Sequence, residues 1–219
     1  MSENPKAIRV DIVSDVVCPW CAVGYKQLAK AAEQVGVELD VRWHPFELNS
    51  QMPDEGQDLR EHLAMKYGTT PADSKAFRER LTALGEELGF AFNYADGSRI
   101  WNTFRAHQLI DWAADQGKEH DAKLALLKAY FTDREDVSDM DVLVRVANDL
   151  GLDGEAAHAM LASGERAQKV REHQKFWTDR YIQGVPAMVV EGERLVTGAQ
   201  GVERYASLLQ SASAKQQDL

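Results

Sequence analysis

The first part of the chain alternates hydrophobic and polar residues. Near the N-terminus a period of two predicts a β-strand on three apolar residues: Ile8, Val10 and Ile12. Trp20 to Val35 consists mostly of good helix formers, and Gly36 is expected to end that helix. Val37 to Phe46 alternates again and predicts a second strand, whose pairing Pro45 should end. A strand, a helix and a strand over this length indicate a βαβ unit with a right-handed crossover.

From about Asp58 to Gly184 the apolar spacing becomes helical, and no convincing strand is expected. Thr70, followed by Pro71 and Asp73, is a typical helix start. Apolar residues at spacings of four, three and four follow it: Phe77, Leu81, Leu84 and Leu88. Four more helical segments are predicted: 102–117, 124–131, 138–151 (opened by Ser138 with Asp141) and 165–182.

After Gly184 the strand pattern returns. Two short apolar runs, 186–190 and 195–197, flank the turn 191–194 and predict a β-hairpin. A last helix follows from Val202, with a frayed polar tail expected from Ser211. The order is therefore βαβ, then helices, then ββα, which predicts a four-stranded mixed sheet interrupted by a helical insertion.

Composition and charge narrow the function classes. The chain has 219 residues, of which 44% are hydrophobic and 27% charged, as in ordinary soluble globular proteins. A net charge of −10 argues against a general nucleic-acid or anionic-membrane surface. No apolar run is long enough to span a bilayer. Residues 1–6 lack the apolar core of a secretion signal, so a cytoplasmic location is expected.

The two cysteines of the chain lie at the junction between the first strand and the first helix. Pro19 suits the first helical turn, so Cys18 is expected to be the N-cap, with its sulfur facing the free N–H groups of Trp20 and Cys21. This position favours a thiolate, with a pKa lowered to roughly 3.5–7.5 from about 8.5. Cys21 is three residues further on the same helical face and can form a disulfide with Cys18.

Several of these residues have a structural interpretation as well as a chemical one. A zinc site at the cysteines would need two more ligands, and the sequence offers no second cysteine pair or His-x₃₋₅-His motif, so no metal is expected. His44 and His107 are interpreted first as hydrogen-bonded structural residues. Asn102 is interpreted first as a helix cap and second as a ligand contact. Trp20 is expected to be partly exposed and to contact peptide or aromatic substrates.

Several motifs in order resemble a known family. Cys18-Pro19-Trp20-Cys21 after one strand and Gly184-Val185-Pro186 before another resemble the thioredoxin fold, and the helical insertion resembles its DsbA-like branch. Within that branch the chain resembles the FrnE-like proteins in five stretches: 14–21, 45–49, 102–107, 129–132 and 197–200. The resemblance implies an α/β thioredoxin fold with a large all-helical insertion. The expected domains are a discontinuous thioredoxin-like domain, 7–56 with 165–212, and the insertion, 57–164.

The resemblance also implies roles for single residues. Cys18 would be the attacking thiol and Cys21 the resolving thiol. Pro186 would follow a cis Val185–Pro186 bond against the Cys18 sulfur, and the Val185 backbone could pair with an extended peptide or a glutathione-like tripeptide. Gln200 would help to hold a carboxylate. The residues predicted to bind substrate are Pro19, Trp20, Asn102, Val185, Pro186 and Gln200.

The resulting functional prediction is a thiol–disulfide oxidoreductase acting on proteins or low-molecular-weight thiols. No tightly bound cofactor is expected; glutathione or another small thiol is the candidate co-substrate, and the protein is expected to be a monomer or homodimer. The related hydroxychromenecarboxylate isomerases and kappa-class glutathione transferases have serine at the position of Cys18, which argues against their chemistry in this chain. A glutathione-type transferase or isomerase acting on aromatic small molecules is kept as the alternative. A non-catalytic binding module is a third possibility, in which the insertion covers an apolar groove.

Overall fold

The structure of the protein is a computed structural model that describes residues 7–217. In chain order these residues form β1 (Ile8–Ser14), α1 (Pro19–Val35), β2 (Leu39–Pro45), β3 (Gln57–Asp58), α2 (Leu59–Tyr67), α3 (Pro71–Glu87), β4 (Arg99–Ile100), α4 (Phe104–Ala114), α5 (Glu119–Phe131), α6 (Met140–Asp149), α7 (Gly154–Ser163), α8 (Ala167–Thr178), β5 (Ala187–Val190), β6 (Arg194–Thr197) and α9 (Val202–Gln217). None of these helices is both long and apolar enough to cross a bilayer.

The main sheet has the strand order β2–β1–β5–β6. Strands β1 and β2 are parallel, with Val10 opposite Val41, because α1 carries the chain back across the sheet. Strand β1 pairs antiparallel with β5, and β5 pairs antiparallel with β6 as the predicted hairpin. This arrangement confirms the predicted four-stranded mixed sheet and the thioredoxin fold.

Helices α1 and α9 pack against each other and against the main sheet, which buries apolar side chains of both helices and of the strands. The helix α1 ends where predicted, since Gly36 adopts a left-handed conformation (φ 74°) and its N–H donates to Ala32 O at 2.8 Å. The largest fully buried side chains of this core are Ile8, Ile12, Leu28, Met188, Tyr205 and Leu209. These contacts hold the first turn of α1 at the carboxyl end of β1.

The segment between β2 and β5 is the predicted insertion, and it has its own apolar core. Buried residues of α3 to α7 form this core: Leu81, Leu109, Leu126, Leu127, Leu143, Ala147 and Met160. The same cluster includes Val17 and Val23, on either side of the two cysteines. The cysteines therefore lie where the insertion packs onto the thioredoxin-like part.

The prediction that the insertion contains no strand was wrong. Strands β3 and β4 form a two-stranded antiparallel sheet, with Gln57 opposite Ile100 and Asp58 opposite Arg99. Each strand has only two residues, which is too short for a period of two to show in the sequence. Asp58 also caps α2, because its side chain accepts from the N–H groups of Arg60 and Glu61.

Three helix boundaries also differ from the prediction. The helix expected from Ser138 begins after Asp139, whose carboxylate accepts from two backbone N–H groups of α6. The segment predicted as one helix over 165–182 contains only α8. The helix before it, α7, is capped by Asp153 and was not predicted. The tail that was expected to fray from Ser211 is helical, because α9 extends to Gln217.

Candidate active site

The first turn of α1 presents both thiols. Cys18 is the N-cap (φ −89°, ψ 111°), Pro19 takes the first helical position, and the N–H of Cys21 donates to Cys18 O at 3.0 Å. Both thiols are free and buried, with 3% of Cys18 and none of Cys21 exposed. The two sulfur atoms are close enough to share a hydrogen bond.

The Cys18 sulfur has two neighbours, one predicted and one not. It makes no side-chain capping hydrogen bond, but the backbone N–H of Cys21 favours its charged form. Its Sγ also lies 3.7 Å from Val185 O, to which it donates. The loop before β5 is therefore the direct neighbour of the thiol.

This loop is fixed against α1. The Val185–Pro186 peptide bond is cis, Pro186 is buried, and Pro186 O accepts from the N–H of Gly198 at 2.8 Å. A Cβ atom at position 24 would lie 3.2 Å from Pro186 Cγ and 3.2 Å from Met188 Cε, which is tighter than an ordinary contact. Glycine at position 24 thus lets α1 approach the loop closely.

The two thiols have opposite pKa shifts. The hydrogen bond with Cys21, together with burial, raises the pKa of Cys18. Burial alone would raise the pKa of Cys21 as well, but the hydrogen bond from Cys18 and the charge of Lys123 lower it overall. The expected low pKa at Cys18 is not found, since the neighbouring Cys21 and burial raise it, and the two thiols ionise as one pair.

A buried polar network lies beside Cys21. The Asp15 carboxylate accepts from the N–H of Leu48 at 2.8 Å and lies 3.2 Å from His107 Nε2. Burial would raise the pKa of Asp15, but the hydrogen bond with His107 lowers it overall, so this buried carboxylate is charged. Lys123 supplies a buried positive charge that acts on both Asp15 and Cys21. Ser14 is buried as well, and its hydroxyl contributes to lowering the pKa of Cys21.

Sequence reasoning missed Lys123, although a signal for it existed. Lys123 lies three and four residues before the buried Leu126 and Leu127, on the inward face of α5. Leu124, the next residue along, is only half-buried. A lysine inside an apolar stripe of helical spacing is unusual, because burying an ammonium group is costly unless a partner compensates it.

The two histidines considered in the sequence have structural partners. His107 Nε2 lies 2.9 Å from Phe46 O as well as near Asp15. His44 Nε2 lies 2.8 Å from Asp11 Oδ1, and its ring packs against Trp177 with centroids 4.6 Å apart. Neither histidine contacts a cysteine sulfur. Within residues 7–217, no group of three or more His, Cys, Asp or Glu side chains could hold a metal ion.

A cavity of about 510 Å³ opens beside Cys18, between the start of α1 and the insertion. Of the residues predicted to bind substrate, Pro19, Trp20 and Val185 line it with Cys18. Trp20 is half-buried and packs edge-on against Phe77, with ring centroids 5.9 Å apart. Most of the opposite wall is aromatic or aliphatic: Leu59, Leu63, Tyr67, Phe77, Tyr94, Ile100, Tyr130 and Phe131.

The remaining predicted residues lie outside this cavity lining. Asn102 Oδ1 accepts from the N–H of Phe104 at 2.9 Å, and its Nδ2 donates to Met52 O at 2.8 Å. Asn102 therefore provides a hydrogen-bond acceptor for the first backbone N–H of α4, although Thr103 is the N-cap. Gln200 Nε2 donates to Thr197 O at 2.5 Å. Pro186 lines a smaller cavity of about 330 Å³ on the far side of the loop. A substrate contact for these three residues stays a prediction.

Two thiols at the start of the helix that follows β1, on a mixed sheet carrying a helical insertion, define a DsbA-like thioredoxin-fold protein. The chain belongs to the family of DSBA-like thioredoxin domains, whose sequence profile matches residues 9–210.

Comparison with solved structures agrees with this assignment. The chain is 30% identical to a probable DsbA oxidoreductase from Streptomyces coelicolor, with a TM-score of 0.87 over 94% of this chain and 90% of that one. A 2-hydroxychromene-2-carboxylate isomerase shares the fold at 18% identity and a TM-score of 0.68, over 94% and 95% of the two chains. The cytosolic disulfide reductase DsbM from Pseudomonas aeruginosa shares it at 19% identity and a TM-score of 0.61, over 96% and 97%. DsbM has also been solved with GSH.

Proposed function

We propose that the protein is a thiol–disulfide oxidoreductase in which Cys18 is the attacking thiol and Cys21 the resolving thiol. The observation that carries this proposal is the pairing of the two free sulfurs at the start of α1, with Cys18 Sγ against Val185 O and beside an open cavity. Cys18 borders the cavity, whereas Cys21 is fully enclosed. A substrate can therefore reach Cys18, and only Cys18 can reach Cys21.

The chemistry follows from this arrangement. In the reduced pair, the proton moves from Cys18 to Cys21, and the Cys18 thiolate attacks a substrate disulfide RS–SR. A Cys18–SR mixed disulfide forms and one RS⁻ leaves. Cys21 then passes its proton to the departed RS⁻, which becomes RSH, and attacks the Cys18 sulfur, which releases the second RS⁻ and leaves a Cys18–Cys21 disulfide. The two electrons of the dithiol pass to the substrate, and the reverse sequence oxidises a dithiol.

Lys123 and Ser14 have a role in the second step. The positive charge of Lys123 and the hydroxyl of Ser14 favour the thiolate form of Cys21, because both stabilise negative charge there. The resolving sulfur is thus activated where water cannot reach it. This arrangement shortens the life of the mixed disulfide, the species that a competing thiol could trap.

The co-substrate proposed for this cycle is glutathione or another low-molecular-weight thiol, with protein or small-molecule disulfides as partners. The volume of the cavity supports a small thiol, since about 510 Å³ lies in the usual range for small-ligand sites. We also propose a cytoplasmic setting, in which a cytosolic disulfide reductase of the same fold, DsbM, is found.

The test is single-turnover reduction of a model disulfide. The reduced wild type should oxidise stoichiometrically, whereas Cys18→Ser should lose the reaction. Cys21→Ser should react once and accumulate a mixed disulfide on Cys18, detected as a mass increase of the intact protein. Equal rates for the wild type and Cys18→Ser would exclude the proposal, provided that both proteins have the same circular dichroism.

The alternative, a glutathione-type transferase or isomerase acting on aromatic small molecules, is favoured by one observation: the aromatic lining of the cavity beside Cys18. In that mechanism Cys18 occupies the position of a serine and Cys21 is dispensable. Cys21→Ala should then retain full turnover of an aromatic electrophile with added thiol. A Cys21→Ala protein that only accumulates the Cys18 mixed disulfide, without any such turnover, would leave the oxidoreductase.

A further inference from the structure

The cavity beside Cys18 is lined mainly by apolar residues, and one of its walls carries a polar patch. Arg78 on α3 and Tyr94, in the loop before β4, lie on this wall, and both are half-buried. Burial raises the pKa of Tyr94. The charge of Cys18 also raises this pKa, whereas the charge of Arg78 lowers it. The patch and the reactive sulfur therefore belong to one enclosed space.

Arg78 is available to a ligand. The one acidic residue of the cavity lining, Asp73, is engaged by Thr70, whose N–H and hydroxyl donate to it at 3.0 and 2.7 Å. Among the described residues Arg78 makes no ion pair, unlike the arginines elsewhere on the surface that pair with acids, such as Arg60 with Asp96. A half-buried guanidinium without a carboxylate partner is a recognition site for one, because its N–H groups match carboxylate geometry.

Two hydroxyl groups on the same wall also lack partners. The oxygen atoms of Thr69 and Ser74 are buried and accept or donate no hydrogen bond within the described part of the chain. Ser74 is only 4% exposed, and both residues line the cavity. Their oxygen atoms are closed off from the cavity, so the polar end of a ligand is expected at Arg78 and not at these hydroxyls.

We propose that this cavity binds a small thiol, or its disulfide, that carries an aromatic or other apolar group and a carboxylate. The apolar part lies against Trp20, Phe77 and Tyr130, and the carboxylate accepts from Arg78, with Tyr94 donating beside it. The ligand's sulfur is then held at Cys18. The insertion thereby selects the substrate, while the two cysteines perform the exchange.

This inference rests on the proposed oxidoreductase function and names its substrate class. The covalent step is the exchange described above: Cys18 takes one sulfur of the ligand disulfide, the other leaves as a carboxylate-bearing thiolate, and Cys21 releases the second thiolate. The dithiol supplies the two electrons. A protein disulfide fits less well, because a carboxylate near Arg78 and a sulfur at Cys18 require an occupant small enough to enter the cavity.

The test compares two aromatic disulfides of similar size. The first, 5,5′-dithiobis(2-nitrobenzoate), carries two carboxylates, and the second, 4,4′-dithiodipyridine, carries none. Arg78→Met should slow the reaction of the reduced protein with the first probe by about tenfold, the loss of one charge-assisted hydrogen bond, and leave the second within about twofold. Arg78→Lys should keep most of the rate. Lys75→Met, on the exposed face of the same helix, controls for general surface charge.

A second measurement separates the two proposals. The Cys18→Ser/Cys21→Ser variant cannot exchange disulfides, so binding of the carboxylate-bearing thiol 2-nitro-5-thiobenzoate, measured by calorimetry, tests recognition alone. Binding that weakens about tenfold with Arg78→Met supports the substrate class even if the wild type proves inactive. Rapid reaction of the wild type with both probes, unaffected by Arg78→Met, and no binding to the double variant would overturn this inference and leave the oxidoreductase intact.

Discussion

Replacing Lys123 by methionine tests whether the buried cation sets the reactivity of the resolving thiol. Methionine has a similar length and no charge, so the packing of α5 is largely kept. Lys123 is 1% exposed and Cys21 is fully buried, so water screens their interaction little. Without the cation, the pKa of Cys21 rises, because a contribution that lowers it is removed.

The magnitude follows from burial and from the other charges near Cys21. A neighbouring opposite charge favours the ionised form of a group by about 1–4 kcal/mol. Asp15 also interacts with Lys123, and burial lowers the pKa of Lys123 itself, so the lower end of this range applies. About 1.4 kcal/mol corresponds to a tenfold smaller thiolate population. Resolution of the mixed disulfide at pH 7 should therefore slow about tenfold.

The assay follows the collapse of a preformed Cys18 mixed disulfide by stopped flow between pH 6 and pH 10. In Lys123→Met the rate should fall at neutral pH and recover at high pH, so the midpoint of the pH profile moves upward. Lys128→Met, on the same helix but exposed at the side chain, should leave the profile unchanged. Thermal unfolding of both variants shows whether the fold is kept.

An unshifted pH profile in a folded Lys123→Met protein would refute this reasoning, since the pKa of Cys21 would then not depend on the cation. A uniform loss of rate at all pH values would also contradict it. That result would mean that Lys123 affects the geometry of the pair and not its ionisation.

Three further predictions concern stability. Leu209→Ala should destabilise the protein by about 3 kcal/mol in urea unfolding, because this fully buried side chain joins α9 to the sheet and a cavity would remain; a loss below about 1 kcal/mol would contradict the packing described. Burial lowers the pKa of His44 despite its contact with Asp11, so the folded state favours the neutral imidazole. The free energy of unfolding should therefore fall as the pH drops below about 6.5. This fall should be smaller in His44→Asn than in the exposed control variant His158→Asn. Thr70→Ala should cost about 1 kcal/mol by removing the capping box of α3, and an unchanged urea midpoint would argue against that cap.

How far the site could be predicted depends on how local its parts are. The paired cysteines lie within one helical turn, so their spacing and Pro19 were enough to place them at the start of α1. The direction of the Cys18 sulfur could not be predicted in this way, since it is set by the loop at Val185, 167 residues away along the chain. The same limit applies to Lys123, whose burial depends on how α5 packs against α1 and β2.

The sequence by itself determined the order of strands and helices in the thioredoxin-like part, because periods of two and of about 3.6 record which face of each element is buried. It also determined that two thiols would begin one helix. Tertiary structure alone decided which charges act on the two thiols and which residues share their cavity. Packing of the insertion brings the charges of Lys123 and Arg78 and the hydroxyl of Tyr94 near the cysteines. No local pattern in the sequence predicts that these residues lie together.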